Sequence, residues 1–206
     1  IVTHCRIGCP NVAQRVDDPA FVARRNAVNP NCGVIAPPSN DNCANAIAMG
    51  IGSVTGNTTG ATTDGAACTG SSTADVWYSF TPGCDGVYRF STCGGAAWDT
   101  VLSVHTGCPG NNSNIIGCAD DSCGAQSQLD VPMTAGTSYL IHLGGFFSNS
   151  FGAYTLTSSV VSTVTPANDN CAAAIALGLG ATTGTNQCAT TDGAASCGSN
   201  TGNDVW

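Results

Sequence analysis

The sequence predicts an all-β protein: a disulfide-stapled jelly-roll β-sandwich of about eight strands, followed by the truncated start of a second copy. Three observations carry this prediction. Apolar residues alternate with period two through most of residues 76–156. Turn-forming residues punctuate those runs at short intervals. Thirteen cysteines stand in 206 residues, a density that belongs to oxidising compartments rather than to a reduced cytosol.

Val76, Tyr78 and Phe80 alternate with Trp77 and Ser79, the mark of a half-buried strand. Tyr88 and Phe90 share one face of the next run, while Val87, Arg89 and Ser91 share the other. Val101-Leu102-Ser103-Val104 follows Asp99, and Leu129 and Val131 flank Asp130. Tyr139, Ile141 and Leu143 alternate with Leu140 and His142, and Tyr154 and Leu156 flank Thr155. The separators are Pro82-Gly83, Asp85-Gly86, Pro109-Gly110-Asn111-Asn112, Ala135-Gly136 and Gly144-Gly145, all turn formers. One helical turn is expected at 43–48, capped by Asn40, Asp41 or Asn42 and stopped at Gly50.

Residues 40–67 and 168–195 are identical at 19 of 28 positions. Asn40-Asp41-Asn42-Cys43 returns as Asn168-Asp169-Asn170-Cys171, and Asp75-Val76-Trp77 returns as Asp204-Val205-Trp206. A period of about 128 residues is far longer than a solenoid unit, so each copy is expected to be a whole domain. The organisation read from this is an N-terminal segment of unknown origin (1–37), a first sandwich (38–160), a linker (161–167) and the start of a second repeat (168–206). The chain opens without methionine or signal peptide and breaks off inside a strand pattern, so both ends are expected to be interior to a longer protein, with the second copy the less ordered part.

All thirteen acids are Asp, and there is no Lys or Glu. Four Arg and two Asp precede position 40; beyond it Arg89 stands alone against eleven Asp. A surface this acidic repels nucleic acid and anionic lipid and suits cations, calcium above all. No stretch is long and apolar enough for a membrane helix.

There is no Cys-x-x-Cys pair, which favours disulfides over metal binding. Cys43 and Cys68 recur as Cys171 and Cys197, so the pairs Cys43–Cys68 and Cys171–Cys197 are expected within the copies. Cys84 and Cys93 sit at opposite ends of one strand, too far apart to bond. Cys108–Cys118 across a hairpin with Cys93–Cys123 is one arrangement for the rest, leaving Cys84 over; Cys84–Cys108 with Cys93–Cys118 is the other. Cys188, which stands where the first copy has Gly60, is expected to have its partner beyond residue 206.

The series Asn-Asp-Asn-Cys (40–43), Thr-Thr-Asp-Gly-Ala-Ala-Cys (62–68), Asp-Val-Trp-Tyr-Ser-Phe-Thr (75–81), Gly-x-Tyr-x-Phe-Ser-Thr-Cys (86–93), Asp-Thr-Val-Leu-Ser-Val (99–104), Cys-Ala-Asp-Asp-Ser-Cys-Gly (118–124), the run 134–146 and Gly-Ala-Tyr-Thr-Leu (152–156) resembles the bacterial pre-peptidase C-terminal domain family. The resemblance covers about residues 38–160 and the start of the next copy. It implies an eight-stranded jelly roll and a non-catalytic module of secreted bacterial proteins, set beside peptidases and often in tandem. It also implies calcium binding in some members and binding of the enzyme's substrate in others.

Asp120 and Asp121, in a loop bounded by Cys118 and Cys123, and Asp99, at the start of a strand reaching the same rim, are the candidate calcium ligands. Adjacent carboxylates repel one another and a cation relieves that; a solvated acidic turn is the competing reading. Phe146, Phe147 and Phe151 flank a Ser/Asn/Gly loop and are candidate ligand-binding aromatics for a glycan or matrix, whereas Trp77 is read as core, with only one of Trp77 and Tyr78 facing inward. No catalytic residue is assigned. There is no Gly-x-Ser-x-Gly elbow and no His-Glu-x-x-His, and His105 and His142 read as strand-surface residues. The expected function is a non-catalytic accessory module of a secreted or cell-surface protein, acting as spacer or attachment domain. The alternatives are a carbohydrate- or matrix-binding module, and a fragment of a secreted peptidase whose catalytic domain lies elsewhere. Expected partners are neighbouring repeats of the same chain, with self-assembly through edge strands.

Overall fold

The computed structural model describes residues 35–65, 73–191 and 202–206. The chain falls into two compact units, 1–37 and 38–206. The described strands all lie in the second: β1 (Ile47–Ala48), β2 (Gly52–Asn57), β3 (Thr73–Phe80), β4 (Gly86–Ser91), β5 (Thr100–His105), β6 (Ile115–Asp120), β7 (Gln128–Met133), β8 (Tyr139–Gly145) and β9 (Ala153–Thr163). They form one sheet in the order β1-β3-β8-β5-β6 and another in the order β2-β9-β4-β7. The antiparallel pairs β2–β9, β3–β8, β4–β7 and β5–β6 nest inside one another. That is the topology of a long hairpin folded over on itself, a jelly roll.

The two sheets meet along the alternating residues. Val76, Tyr78 and Phe80 of β3, Tyr88 and Phe90 of β4, Leu102 and Val104 of β5, Leu129, Val131 and Met133 of β7, and Ile141 and Leu143 of β8 are all buried in one core. Phe80 packs edge-on against both Tyr88 and Phe90 at 5.2–5.3 Å between ring centroids. The hydroxyls of Tyr78 and Tyr154 satisfy each other at 2.7 Å inside this core. Each fully buried side chain such as Phe90, Leu102 or Ile141 contributes about 1.5–3 kcal/mol over its exposed state. On the solvent side of the four-stranded sheet, Arg89 of β4 faces Asp130 of β7 in register. Its guanidinium holds both carboxylate oxygens at 2.7 and 2.8 Å.

The five-stranded sheet is covered on its outer face as well. Register places Trp77 beside His142 and His142 beside Ser103 on that face, and all three are buried. Trp77 and Tyr78 are therefore both interior, one on each side of the sheet, where alternation suggested that only one would be. Residues 40–46, 58–65 and 106–114 form the cover. Trp77 exchanges backbone and side-chain bonds with Asn40, and its indole N–H donates to Asp64 at 2.5 Å. Asp64 also accepts from the Cys43 amide, and Asp41 accepts from the amide and hydroxyl of Thr62. A bulge between Thr73 and Val76, with Ala74 at φ 55°, interrupts the ladder beside Asp75, a device that re-aims a side chain. Asp75 accepts from the amides of Asp64 and Gly65.

The repeated residues are thus the ones that bond to each other. The second copy makes the same contacts: Trp206 with Asn168, and Asp169 with the amide and hydroxyl of Thr190.

Two local expectations need correction. The helical turn is a 3₁₀ segment of three residues, Cys43–Asn45, and Asn42 at its start makes no side-chain cap. Asn40 and Asp41 are committed to Trp77 and Thr62, and the chain leaves directly into β1, parallel to β3. Strand β2 carries no apolar alternation that would announce it. Six backbone pairs with β9 hold it, and Gly56 leaves room for the Tyr154 hydroxyl where a Cβ would collide.

The disulfide pattern also differs from the sequence reading. Cys43 is bonded to Cys108, not to Cys68. Comparing the copies favoured Cys68 because the position matching Cys108 falls past Trp206. Cys108–Cys118 does not form: the β5–β6 ladder sets Cys118 opposite Ser103, about 16 Å of strand away from Cys108. Cys118 is disulfide-bonded, to a different cysteine. Cys93 is bonded to Cys123. Cys84 is bonded to Cys188, so the partner of Cys188 lies inside this chain and not beyond it. Cys171 is a free, exposed thiol, which removes Cys171–Cys197; Cys68 and Cys197 themselves lie outside the described residues.

The Cys43–Cys108 bond closes a separation of 65 residues and ties the 3₁₀ turn to the β5–β6 connection. Replacing both with Ser (Cys43→Ser with Cys108→Ser) is expected to cost roughly 4 kcal/mol by chain entropy. Urea unfolding of the double variant reads this as a lower midpoint.

Candidate metal centre and its aromatic rim

Three strand ends meet at one rim of the sandwich. Asp99 immediately precedes β5, Asp120 is the last residue of β6, and Phe146 follows β8. The ladders pair Val101 with Asp120 and Thr100 with Gly145, and the Phe146 amide donates to the Asp99 carbonyl at 3.2 Å. Asp121 sits at φ 52°, a left-handed conformation that Asp tolerates better than most residues. The Cys93–Cys123 bond and the Cys123 amide, which donates to the Gln126 carbonyl, pin the loop that follows.

One carboxylate oxygen from each of Asp99, Asp120 and Asp121 lies within 4.8 Å of the other two. The Oδ1 atoms of Asp99 and Asp120 are buried, and that of Asp99 meets no hydrogen-bond donor among the described residues. Burial, reinforced by the charges of Asp120 and Asp121, pushes the Asp99 carboxyl above the usual carboxylate range. A cation in this cluster would remove both the repulsion and the desolvation penalty. An all-carboxylate set fits a hard ion: Ca²⁺ takes six to eight oxygens, and three carboxylates supply up to six. Zinc prefers nitrogen or sulfur ligands, and none stands in this cluster.

Aromatic side chains border the acidic cluster. Trp98 is half-buried and its indole N–H donates to the Ala153 carbonyl at 3.0 Å. Phe146, half-buried, packs edge-on against Phe147 at 4.6 Å. Phe147 and Phe151 are 55% and 45% exposed. The turn that presents them is tight: Ser150 is buried, its amide donates to the Phe147 carbonyl, and its oxygen lies where a Cβ on Gly145 would be. The sequence placed the acids and the phenylalanines separately. Their shared rim follows from the β5–β8 register, which the sequence did not display.

A second polar cluster lies beneath Trp77. Asp75 faces His142 at 3.1 Å, and Ser103 Oγ bonds both His142 Nδ1 at 3.2 Å and His105 Nε2 at 2.9 Å. His105 Nδ1 is bonded to Asn114 at 3.0 Å. The side-chain types match a nucleophile, a base and an acid, but Asp75, Ser103, His105 and His142 are wholly buried. The histidines are interior, contrary to the strand-surface expectation, because the cover built by 106–114 and 58–65 lies over them. Burial holds the His105 imidazole below the usual histidine range, with Asn114 opposing the shift.

This geometry defines a two-sheet jelly-roll sandwich with a carboxylate cluster on one rim. No protein family matches the chain in a family scan, and no curated protein matches it. Among solved structures it is similar to the crystal structure of the pre-peptidase C-terminal domain of collagenase from Bacillus anthracis. The similarity has 13% identity and a TM-score of 0.39, over 55% of this chain and 94% of that one.

The buried His105 sets a pH dependence. Its folded pKa lies below its unfolded value, so the stability it contributes is present above about pH 6.5 and is lost as pH falls through the folded value. The melting temperature is expected to drop between pH 7 and pH 5, and His105→Gln should shrink that drop in a calorimetric pH series.

Proposed function

We propose that this chain is a non-catalytic accessory module of a secreted or cell-surface bacterial protein, a spacer or attachment domain whose rim is held by calcium at Asp99, Asp120 and Asp121. The observation that carries the calcium reading is the convergence of three carboxylates within 4.8 Å around a buried Asp99 oxygen that no donor among the described residues satisfies. Disulfides support an oxidising, extracellular setting,. The resemblance of residues 38–160 to pre-peptidase C-terminal domains supports the accessory role. Burial of the Ser103–His142–Asp75 set supports the absence of chemistry there.

Saturating Ca²⁺, at about a hundredfold excess over Kd, is expected to raise the melting temperature by about 5 °C. In chelator, Asp99→Asn should melt higher than the wild type, because it removes a desolvated charge; in Ca²⁺ the order should reverse. Identical melting in Ca²⁺ and in chelator would remove the metal from the reading.

A second reading, a carbohydrate- or matrix-binding module, is favoured by the exposure of Phe147 and Phe151 on a rigid turn. Aromatic faces of this kind stack on sugar rings. A glycan array should then show binding that Phe147→Ala lowers about tenfold, in line with the loss of one stacking contact.

A further inference from the structure

We infer that the turn Pro82–Asp85, between β3 and β4, is a docking site for the next copy of the repeat, and that the Cys84–Cys188 bond locks the two copies in one orientation. Cys84 belongs to the first sandwich and Cys188 to the second copy, 104 residues later in the chain. Cys84, left over in one arrangement read from the sequence, and Cys188, expected to pair beyond residue 206, are partners of each other.

The receiving turn is rigid. The Tyr88 hydroxyl donates to the Cys84 carbonyl at 2.8 Å and accepts from the Cys84 amide. Asp85 accepts from the Ala135 amide at 2.7 Å, and the Pro82 carbonyl accepts from the Gly136 amide at 2.9 Å. The incoming segment is also ordered around its own motif. Thr190 is held by Asp169, and Ala189, next to the staple, is buried. Gln187 adds a hydrogen bond from its side-chain amide to the Gly83 carbonyl.

The linker is tied down at the same place. Strand β9 runs on past the sandwich core until Thr163 pairs with Gly86, and the Val164 amide donates to the Asp85 carbonyl at 2.7 Å. The linker and the second copy thus meet the same turn, the linker through the end of β9 and the second copy through Cys188. Two attachments leave no free hinge, whereas a linker alone leaves orientation open. Gly60 occupies the place of Cys188 in the first copy, so that copy lacks the cysteine that makes this staple. The staple belongs to a copy that follows another copy, and the outcome for an array is a stiff spacer.

The test uses the chain of residues 1–206. By ¹⁵N relaxation, amides of the sandwich strands and of residues 186–191 should report one common tumbling time. In the double variant Cys84→Ser with Cys188→Gly, the 186–191 amides should show a tumbling time at least about twofold shorter, while the strand amides keep theirs. Exchange of the Val164 amide should quicken about tenfold. A common tumbling time that survives in the variant would overturn the inference, as would separate tumbling in the unmutated protein. A non-reducing peptide map of the unmutated chain decides independently of any variant's folding: Cys84 joined to Cys188 supports the staple, and Cys84 joined elsewhere or free rejects it.

Discussion

A strand with large side chains on both faces must find cover for the second face, and Trp77 sets that demand here. Its neighbours Val76 and Tyr78 enter the space between the sheets, which commits the indole to the outside of the five-stranded sheet. Leaving that ring in water would forfeit a large part of its burial free energy. The segments 40–46, 58–65 and 106–114 close over it, and the aspartates of the repeated motif satisfy the amides that this closure would strand. Asp41, Asp64 and Asp75 each accept from backbone N–H groups at the edge of the cover. The Cys43–Cys108 bond then joins two of the covering segments. The repeated signature records this packing problem, and the described residues of the second copy repeat the Trp206–Asn168 and Asp169–Thr190 bonds.

Much of the fold was legible because strands that are buried on one face write their burial as alternation. Tyr88, Phe90, Leu129, Val131, Ile141 and Leu143 all point where a period of two puts them. The parts that were not legible are those fixed by loops. Strand β2 has a single apolar residue of any size, Val54, and owes its place to pairing with β9. His105 and His142 look like surface residues until the loops that cover them are placed. Cysteine pairing suffers most, since sulfurs on loops meet wherever the loops are laid. Cys43 and Cys108 meet because the cover brings them together, and nothing in their local sequence says so.

The acidic rim was readable because carboxylates at strand ends gather when the strands are neighbours. Asp99 and Asp120 belong to paired strands, and Asp121 comes with its neighbour. The company they keep was not readable. Phe146 joins the rim because β8 ends beside the start of β5, and the exposed Phe147 and Phe151 follow from the turn it begins. One edge of the sandwich therefore concentrates carboxylates and exposed aromatic surface, while the opposite edge carries the turn that meets the second copy.

The pairing of Arg89 with Asp130 has a consequence for survival among digestive enzymes. From residue 40 onward Arg89 is the sole basic residue of the Lys or Arg type, so it marks the one peptide bond there that a trypsin-like enzyme would choose. That bond lies mid-strand in β4, hydrogen-bonded between β7 and β9. To thread it through a proteolytic cleft, the four-stranded sheet would have to come apart. From residue 40 onward the folded chain therefore offers a trypsin-like enzyme no Lys or Arg bond outside a paired strand.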